Sequence, residues 1–551
     1  MYKSLDVSYN DACILSSFDR DDDQNHYIRG SRYNNGEPIY PCTGSSNVFS
    51  KGVPGQYYIL RGYESLSIRK NHQLVRLGQL DSALERLDLS ELPRLNDLGT
   101  LPLGVTDLTL RQLPELADLS SLPSSLRRLK IRECPKVVDI SSLPPGLRCL
   151  DLKNVGVSDL SYLPVDLEEL SLAEEGVHDF GQLPAKLRIL SLENTSIEDL
   201  GCLPSSMISL SLIGENHFRP ETMYWNLARL TLDGCGVKNL RNLPNRLVEL
   251  SVLNCQDLLE IHDLPPHLGS LIVCNCPAVT HFDCTTSNLR SVSLKSMGQS
   301  SMPYLPQVLN HLELAFCDWD SLGYLPMSLR TLKIKACDKI SSLEALQEHN
   351  CLKKLELNRL AGLQKLGSLP PVLESLYLYE CSGLTDLGSL PSELKSLRML
   401  WCGGVNRLEP LPSKMERLEL LSNGKITVTT PLPDGLEEMR LSKVNFCPRL
   451  EVIPRTMTSI DLIEMNVNDL PHRLPTHLKT LSLIGCTGHR EAGWIPEGLY
   501  ELFVTRGVVT ELPYMPQLRN LRCENVSLGG IPVSNYDEYV VARSQVAESQ
   551  S

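Results

Sequence analysis

The sequence predicts a β-rich solenoid in which short parallel strands form one concave β-sheet, with little helix. Three observations lead to this prediction. One apolar pattern recurs every 20 or 21 residues, each copy alternates apolar and polar residues, and a Leu-Pro pair precedes most copies. A fixed period of this length, held over most of 551 residues, is typical of proteins whose repeats are each stabilised by packing against their neighbours.

Each copy of the pattern begins with a residue that we call the anchor, and positions within a repeat are counted from it. The spacing is 20 or 21 residues, except for 23 between Leu329 and Leu352 and 19 before the last anchor. About 23 units therefore follow one another. Their anchors are Tyr63, Leu84, Val105, Leu126, Leu147, Leu167, Leu187, Met207, Leu227, Leu247, Leu268, Leu289, Leu309, Leu329, Leu352, Leu373, Leu394, Met415, Leu436, Met457, Leu478, Leu499 and Leu518.

Within each unit the residues at the anchor, +3 and +5 are apolar and alternate with more variable ones, which predicts a half-buried strand. The Leu-Pro pairs before the anchors, such as Leu143-Pro144 and Leu369-Pro370, predict an extended or turn-like return segment, because proline fixes φ and lacks an N–H donor. A unit of 20 residues leaves little room for a helix. Successive strands are therefore expected to pair in parallel.

The motif Leu-Pro-x-x-Leu-x-x-Leu-x-Leu, over about residues 60–530, resembles the leucine-rich-repeat family. It is most similar to the short, LP-containing class known from bacterial effector proteins and protist proteins. The resemblance implies a curved solenoid whose strand face binds other macromolecules. Effector ligases of this class carry a large catalytic domain after the repeats, and this chain ends about 25 residues after its last predicted strand. We therefore expect no ligase activity from it.

The domain prediction is an N-terminal capping segment over residues 1–60, a solenoid over 61–530, and a C-terminal cap with a disordered tail over 531–551. Caps are expected because an open solenoid end would expose core leucines. The N-terminus lacks the apolar run of a signal peptide, and no stretch is long enough to span a membrane. A cytoplasmic location follows as an expectation, with the 18 cysteines as free thiols. The net charge of −13 argues against nucleic acid or an anionic membrane as a partner.

Nine cysteines stand at +8, and a buried structural ladder is the interpretation we favour over metal or redox chemistry. They are Cys134, Cys235, Cys255, Cys276, Cys317, Cys337, Cys381, Cys402 and Cys486. Whether Cys274, Cys276, His281 and Cys284 bind zinc stays open, because their spacing is not a standard zinc pattern. A row of aspartates, Asp97, Asp118, Asp139, Asp159, Asp179 and Asp199, suits turns that cap backbone N–H groups better than calcium sites. No cofactor or metal is predicted.

Residues at +2, +4 and +6 point away from the core, and we call the surface they form the strand face. Their variation predicts binding there, since packing does not fix them. A tyrosine–arginine patch is the first candidate, because tyrosine, tryptophan and arginine dominate interface hot spots. It comprises Tyr377, Tyr379, Arg398, Leu400, Trp401 and Arg417. The second candidate is a basic zone of Arg128, Lys130 and Arg132, flanked by Arg111 and Lys153.

The sequence contains none of the common nucleotide-binding, metalloprotease or nucleophile-elbow motifs, so an enzyme is not predicted. The favoured hypothesis is an intracellular scaffold that binds a protein partner on its concave face, as a monomer or as a subunit of a larger assembly. The alternative is a substrate-recognition subunit of a ubiquitin ligase, or a host-targeted effector without its own catalytic domain. That alternative requires an adaptor-binding segment, for which residues 1–60 are the candidate.

Overall fold

The computed structural model describes residues 4–7, 56–57 and 64–550, and the gaps within the last range are short. The gaps are 73, 79, 81, 174–176, 178–181, 196–202, 215–225, 286, 299–300, 409, 422, 424–425, 429–430, 447–450, 506–507, 510 and 529. The chain divides into two compact units. Unit 1 contains Met1–Leu258 and Leu264–Leu268, and unit 2 contains Leu259–Asp263 and Gly269–Ser551.

Unit 1 is a solenoid of parallel strands. The strand Ser4–Val7 pairs in parallel with Ser65–Arg69, so part of the predicted N-terminal cap extends this sheet. The rest of residues 1–60 lies outside the described residues, apart from Gln56–Tyr57. The strands of unit 1 are Ser4–Val7, Gln56–Tyr57, Ser65–Arg69, Arg76–Leu77, Arg86–Ser90, Asp107–Arg111, Arg128–Cys134, Cys149–Val155, Glu169–Ala173, Ile189–Glu193, Ser209–Ile213, Arg229–Asp233 and Glu249–Leu253.

Unit 2 has the same solenoid architecture. Its long strands are Ser270–Cys276, Ser291–Met297, His311–Ala315, Thr331–Lys335, Lys354–Asn358, Ser375–Tyr379, Ser396–Leu400, Arg417–Leu421, Glu438–Ser442, Ser459–Ile463, Thr480–Ile484, Glu501–Val504, Asn520–Leu528 and Ile531–Asn535. Shorter strands in the return segments form two further small parallel sheets. They are Glu260–Ile261 with His281–Phe282, and Arg407–Leu408 with Ile426–Val428 and Val444–Phe446.

The repeat register is confirmed in both units, since a strand begins two residues after every anchor. In Ser375–Tyr379 the two leucines at +3 and +5 are fully buried, whereas the residues at +2, +4 and +6 are half-buried. Strands pair with equal positions opposite each other, as Tyr377 does with Arg398. Side chains at one repeat position therefore form a continuous row across the sheet.

Two local features return the chain from one strand to the next. The residue at +7 takes a positive φ in most repeats, as in Asn254 (52°), Glu380 (51°) and Trp401 (61°), which turns the backbone inward. The proline three residues before an anchor then accepts a hydrogen bond from the anchor N–H, as Pro370 does from Leu373 at 3.1 Å. These tight turns explain why each unit completes its circuit in 20 or 21 residues.

Within the described ranges, helix is confined to α1 (Tyr536–Gln550) and to three single turns of 3-10 helix at Glu344–Leu346, Val467–Asp469 and Ala492–Trp494. No helix of the described chain is both long and apolar enough to cross a membrane. At the C-terminal end, Ile531–Asn535 pairs antiparallel with Asn520–Leu528, and the hydroxyl of the buried Tyr539 in α1 contacts the backbone of Met515. Residues 546–550, predicted as part of a disordered tail, lie within α1.

Candidate functional site

The tyrosine–arginine patch lies in unit 2 on three consecutive strands that pair in parallel and in register. Tyr377 lies opposite Arg398 on the +4 row, and Tyr379 lies opposite Leu400 on the +6 row. Arg417 lies on the next strand, opposite Ser396 on the +2 row. The structure thus brings the predicted patch residues together on one surface.

The two tyrosines and Arg398 form a stacked group. The guanidinium carbon of Arg398 lies 5.0 Å from the centroid of the Tyr377 ring, within the range of a cation–π contact. The rings of Tyr377 and Tyr379 are 6.4 Å apart and tilted by 35°. Burial raises the pKa of Tyr377, so its hydroxyl remains a neutral donor and acceptor around pH 7. This group offers aromatic area and hydrogen-bonding capacity in a fixed arrangement.

A buried carboxylate that the sequence analysis missed holds Arg398 in place. Arg398 Nε donates to Glu419 Oε2 at 2.5 Å, and Arg440 Nη1 reaches the other oxygen, Oε1, at 3.3 Å. The Glu419 side chain is 9% exposed, so the carboxylate that pairs with the two guanidinium groups is largely buried. The sequence does contain a signal for this network, since Arg398, Glu419 and Arg440 alternate in charge at intervals of 21 residues.

Arg417 is also paired. Its Nε and Nη2 donate to the two carboxylate oxygens of Glu438 at 2.6 and 2.8 Å, which is the bidentate geometry that arginine favours. The hydrogen bonds raise the pKa of Arg417 and lower that of Glu438. The arginines of the patch are thus oriented by carboxylates of the next strand.

Leu400 and Trp401 complete the patch from its edge. Leu400 is half-buried on the +6 row. Trp401 stands at the +7 turn, is 57% exposed, and donates its backbone N–H to the carbonyl of Leu421 at 3.0 Å. It is thus an exposed aromatic side chain directly beside the strand face.

A cleft of about 630 Å³ opens on the strand face next to the patch. Arg398, Arg417 and Arg440 line one part of it, with their carboxylate partners. Small hydroxyl side chains and the apolar Ile484 and Phe503 line the rest. The repeat pattern alone does not predict this cleft. It lies where the +4 row changes from long charged side chains to the short Ser482.

In unit 1 the basic zone is largely charge-compensated. Arg128 Nη1 lies 3.1 Å from Asp107, and the hydrogen bond raises the pKa of Arg128. Arg132 Nη2 lies 2.5 Å from Asp151. Lys130 is exposed between them on the +4 row. The flanking residues are also paired, Arg111 with Glu133 at 3.8 Å and Lys153 with Glu193 at 2.7 Å. The zone therefore presents mixed rather than uniformly positive charge.

The cysteines at +8 are buried free thiols that turn inward after each strand. Burial raises the pKa of both Cys134 and Cys235 to about 11, which makes these thiols unreactive near pH 7. Cys402 Sγ donates to the carbonyl of Leu400 at 3.5 Å. These contacts fit the structural ladder.

The four candidate zinc ligands of the sequence, Cys274, Cys276, His281 and Cys284, differ in their burial. Cys276 and Cys284 are buried, Cys274 is half-buried and His281 is exposed. Cys276 Sγ donates to the carbonyl of Cys274 at 3.5 Å, and Cys284 Sγ donates to that of Tyr304 at 3.5 Å. Among the described residues there is no group of three or more His, Cys, Asp or Glu side chains placed to hold a metal ion.

The aspartate row caps turns where it is described. The Oδ1 atoms of Asp97, Asp118, Asp139 and Asp159 each accept a hydrogen bond from a backbone N–H two residues later, at 2.7–2.9 Å. Asp179 and Asp199 lie outside the described residues. The described members of the row thus have the turn-capping role that the sequence favoured.

The sequence matches no family model, and no curated protein matches it. A likeness to a solved leucine-rich-repeat structure supports the fold. This structure is CroV588, described as a circular leucine-rich-repeat protein. The match covers 85% of this chain and 75% of the CroV588 chain, with a TM-score of 0.56 and 18% sequence identity. The match to YopM from Yersinia enterocolitica WA-314 covers 88% of this chain and 83% of the YopM chain, with a TM-score of 0.28 and 20% sequence identity. TLR13, solved in complex with ssRNA13, matches 82% of each chain with a TM-score of 0.46 and 17% identity.

Proposed function

Because this chain has the leucine-rich-repeat fold, we propose that it is a non-enzymatic scaffold that binds a protein partner on the strand face of unit 2. The observation that carries the proposal is the ordered group of Tyr377, Tyr379 and Arg398, fixed from below by Glu419. Tyrosine and arginine held in one geometry lose little entropy on binding, which favours affinity.

The shape of the surface supports a protein partner over a small molecule. On the three neighbouring strands of the patch Tyr377, Tyr379 and Leu400 are half-buried and the two arginines are exposed, and the cleft that these arginines line is open to solvent rather than enclosed. Small ligands bind in pockets that bury most of their surface, whereas protein partners bind broad surfaces with aromatic and arginine anchors. We extend the proposal to a cytoplasmic location, which suits the row of buried free thiols at +8.

The proposal is tested by affinity purification from the native source, followed by mass spectrometry. Tyr377→Ala combined with Tyr379→Ala is expected to weaken partner binding by roughly 2–4 kcal/mol, because both side chains belong to the hot-spot group. Folding is expected to be unchanged, since neither side chain packs in the core.

The matched control replaces two tyrosines of unit 2 outside the strand face. Tyr304 and Tyr324 are 70% and 86% exposed and lie in return segments. Tyr304→Ala with Tyr324→Ala is expected to recover the partner as wild type does. Equal recovery by wild type and the strand-face variant would place the site elsewhere, with the basic zone of Arg128, Lys130 and Arg132 as the next surface to substitute.

A further inference from the structure

The +4 row of unit 2 alternates in charge across neighbouring strands. Lys333 Nζ lies 3.0 Å from Glu356. Further along, Glu419 lies between Arg398 and Arg440 and contacts both, at 2.5 and 3.3 Å. The row therefore satisfies a largely buried carboxylate by placing a cation on each side of it.

Asp461 is the last carboxylate of this series, and it has a cation on one side only. Its Oδ2 accepts from Arg440 Nε at 2.6 Å. Its Oδ1 is buried, and no residue that the structure describes donates a hydrogen bond to it. A buried acceptor without a donor is unfavourable, so this oxygen would gain from a donor supplied from outside. The Asp461 side chain is 21% exposed, so its carboxylate is accessible from the cleft, and a rotation about χ2 that turns Oδ1 outward also shifts Oδ2 relative to Arg440.

The next two positions of the row leave room for such a donor. Ser482 lies opposite Asp461 and is buried, and its short side chain leaves open the space that a long cation would fill. Phe503 lies opposite Ser482 and lines the far side of the cleft. An aromatic ring at this place favours a cation that approaches its face.

We propose that this cleft receives an arginine side chain of the partner protein, which occupies the cation position missing over Ser482. The guanidinium group donates to Asp461 and stacks on Phe503, as Arg398 stacks on Tyr377 at the other end of the row. Ile484, on the neighbouring +6 row, offers contact to an apolar residue beside that arginine. This inference rests on the proposed function, and it names the chemistry of one contact within it.

The direct test is a titration followed by fluorine NMR. The chain contains eight phenylalanines, so 4-fluorophenylalanine labelling yields a small set of signals, and Phe503→Leu assigns the one at the cleft. The probe is N-acetyl-arginine methylamide, and its citrulline counterpart is the neutral isostere. The Phe503 signal is expected to shift saturably with the arginine probe and to respond at least tenfold more weakly to the citrulline probe. Equal responses to the two probes would overturn the inference.

Variants of the cleft separate its chemistry from general charge effects. Asp461→Asn keeps the shape and is expected to weaken the arginine response at least tenfold. Glu313→Gln removes a carboxylate from the same row but away from the cleft, and is expected to respond as wild type does. Ser482→Arg is expected to supply the missing cation opposite Asp461 from the chain itself. It should therefore abolish the response of the Phe503 signal to the arginine probe and raise the unfolding temperature. A wild-type response from either cleft variant would contradict the proposal.

Affinity purification distinguishes this inference from the proposed function. If the Tyr377→Ala, Tyr379→Ala variant loses the partner while Asp461→Asn retains it fully, the arginine contact is wrong and the proposed function stands. If the tyrosine variant retains the partner, the proposed function itself fails. Loss of the partner by both variants supports both proposals.

Discussion

Trp401 occupies a backbone conformation that disfavours its side chain. Its φ is 61°; at the same repeat position Asn254, Gly234 and Gly485 adopt this conformation more easily, whereas residues such as Glu380 and Phe316 carry the same cost as Trp401. A left-handed conformation costs an ordinary residue roughly 1–2 kcal/mol. The indole is 57% exposed, so burial does not offset this cost. The fold therefore gives no reason for a tryptophan at this position, which agrees with the proposed partner contact.

We expect Trp401→Asn to raise the free energy of unfolding by about 0.5–1 kcal/mol, because asparagine tolerates a positive φ. The same change is expected to lower partner affinity. Trp401→Ala is the matched control, since it removes the ring but keeps the backbone cost of a Cβ. Urea denaturation measures all three proteins. An asparagine variant no more stable than the alanine variant would contradict the account of backbone strain.

At the scale of the repeat, a polar or thiol side chain at position +8 contacts buried backbone groups beside the turn. Nine repeats have a cysteine thiol at this position, and Asn423 makes a stronger pair of contacts at its own. The Asn423 Oδ1 accepts from the Cys402 N–H at 2.7 Å, and its Nδ2 donates to the Met399 carbonyl at 2.8 Å. Asn423 is 1% exposed, so water does not replace it. This amide links two neighbouring repeats.

Asn423→Ala is expected to cost about 2–4 kcal/mol, because it leaves a buried donor and a buried acceptor without partners. Cys402→Ala is the comparison, with an expected cost of about 1 kcal/mol for a weak thiol bond and lost packing. Urea denaturation measures the free energy of unfolding of both variants, and hydrogen exchange is expected to show the loss of amide protection at the Cys402 turn. Equal costs for the two variants would show that the amide adds nothing beyond the thiol.

The strands were predictable because the anchors alone fix both their position and their inward side. The left-handed turns were harder to predict, since residues such as Glu380 and Trp401 have no intrinsic preference for a positive φ. The carboxylate beneath Arg398 was missed because an ion pair across strands depends on register. Once equal positions are known to lie opposite each other, residues 21 apart become neighbours and Glu419 follows directly.

At the scale of the whole molecule, each unit is stabilised by contacts between neighbouring repeats, so its outward rows are largely released from packing. In unit 2 the tyrosine–arginine patch and the cleft both lie on the strand face of the sheet. Tyr304 and Tyr324, which stand at equal positions of neighbouring repeats, provide exposed aromatic surface in its return segments. We propose that the partner contacts the strand face of unit 2 and not its return segments.

Hydroxyl-radical footprinting distinguishes the strand face from the return segments. It compares the chain alone with its complex with the partner co-purified from the native source. Oxidation at Tyr377, Tyr379 and Trp401 is expected to fall several-fold in the complex, while oxidation at Tyr304 and Tyr324 stays unchanged. Unchanged oxidation at Tyr377 and Tyr379, with protection at Tyr304 and Tyr324, would contradict the assignment of binding to the strand face.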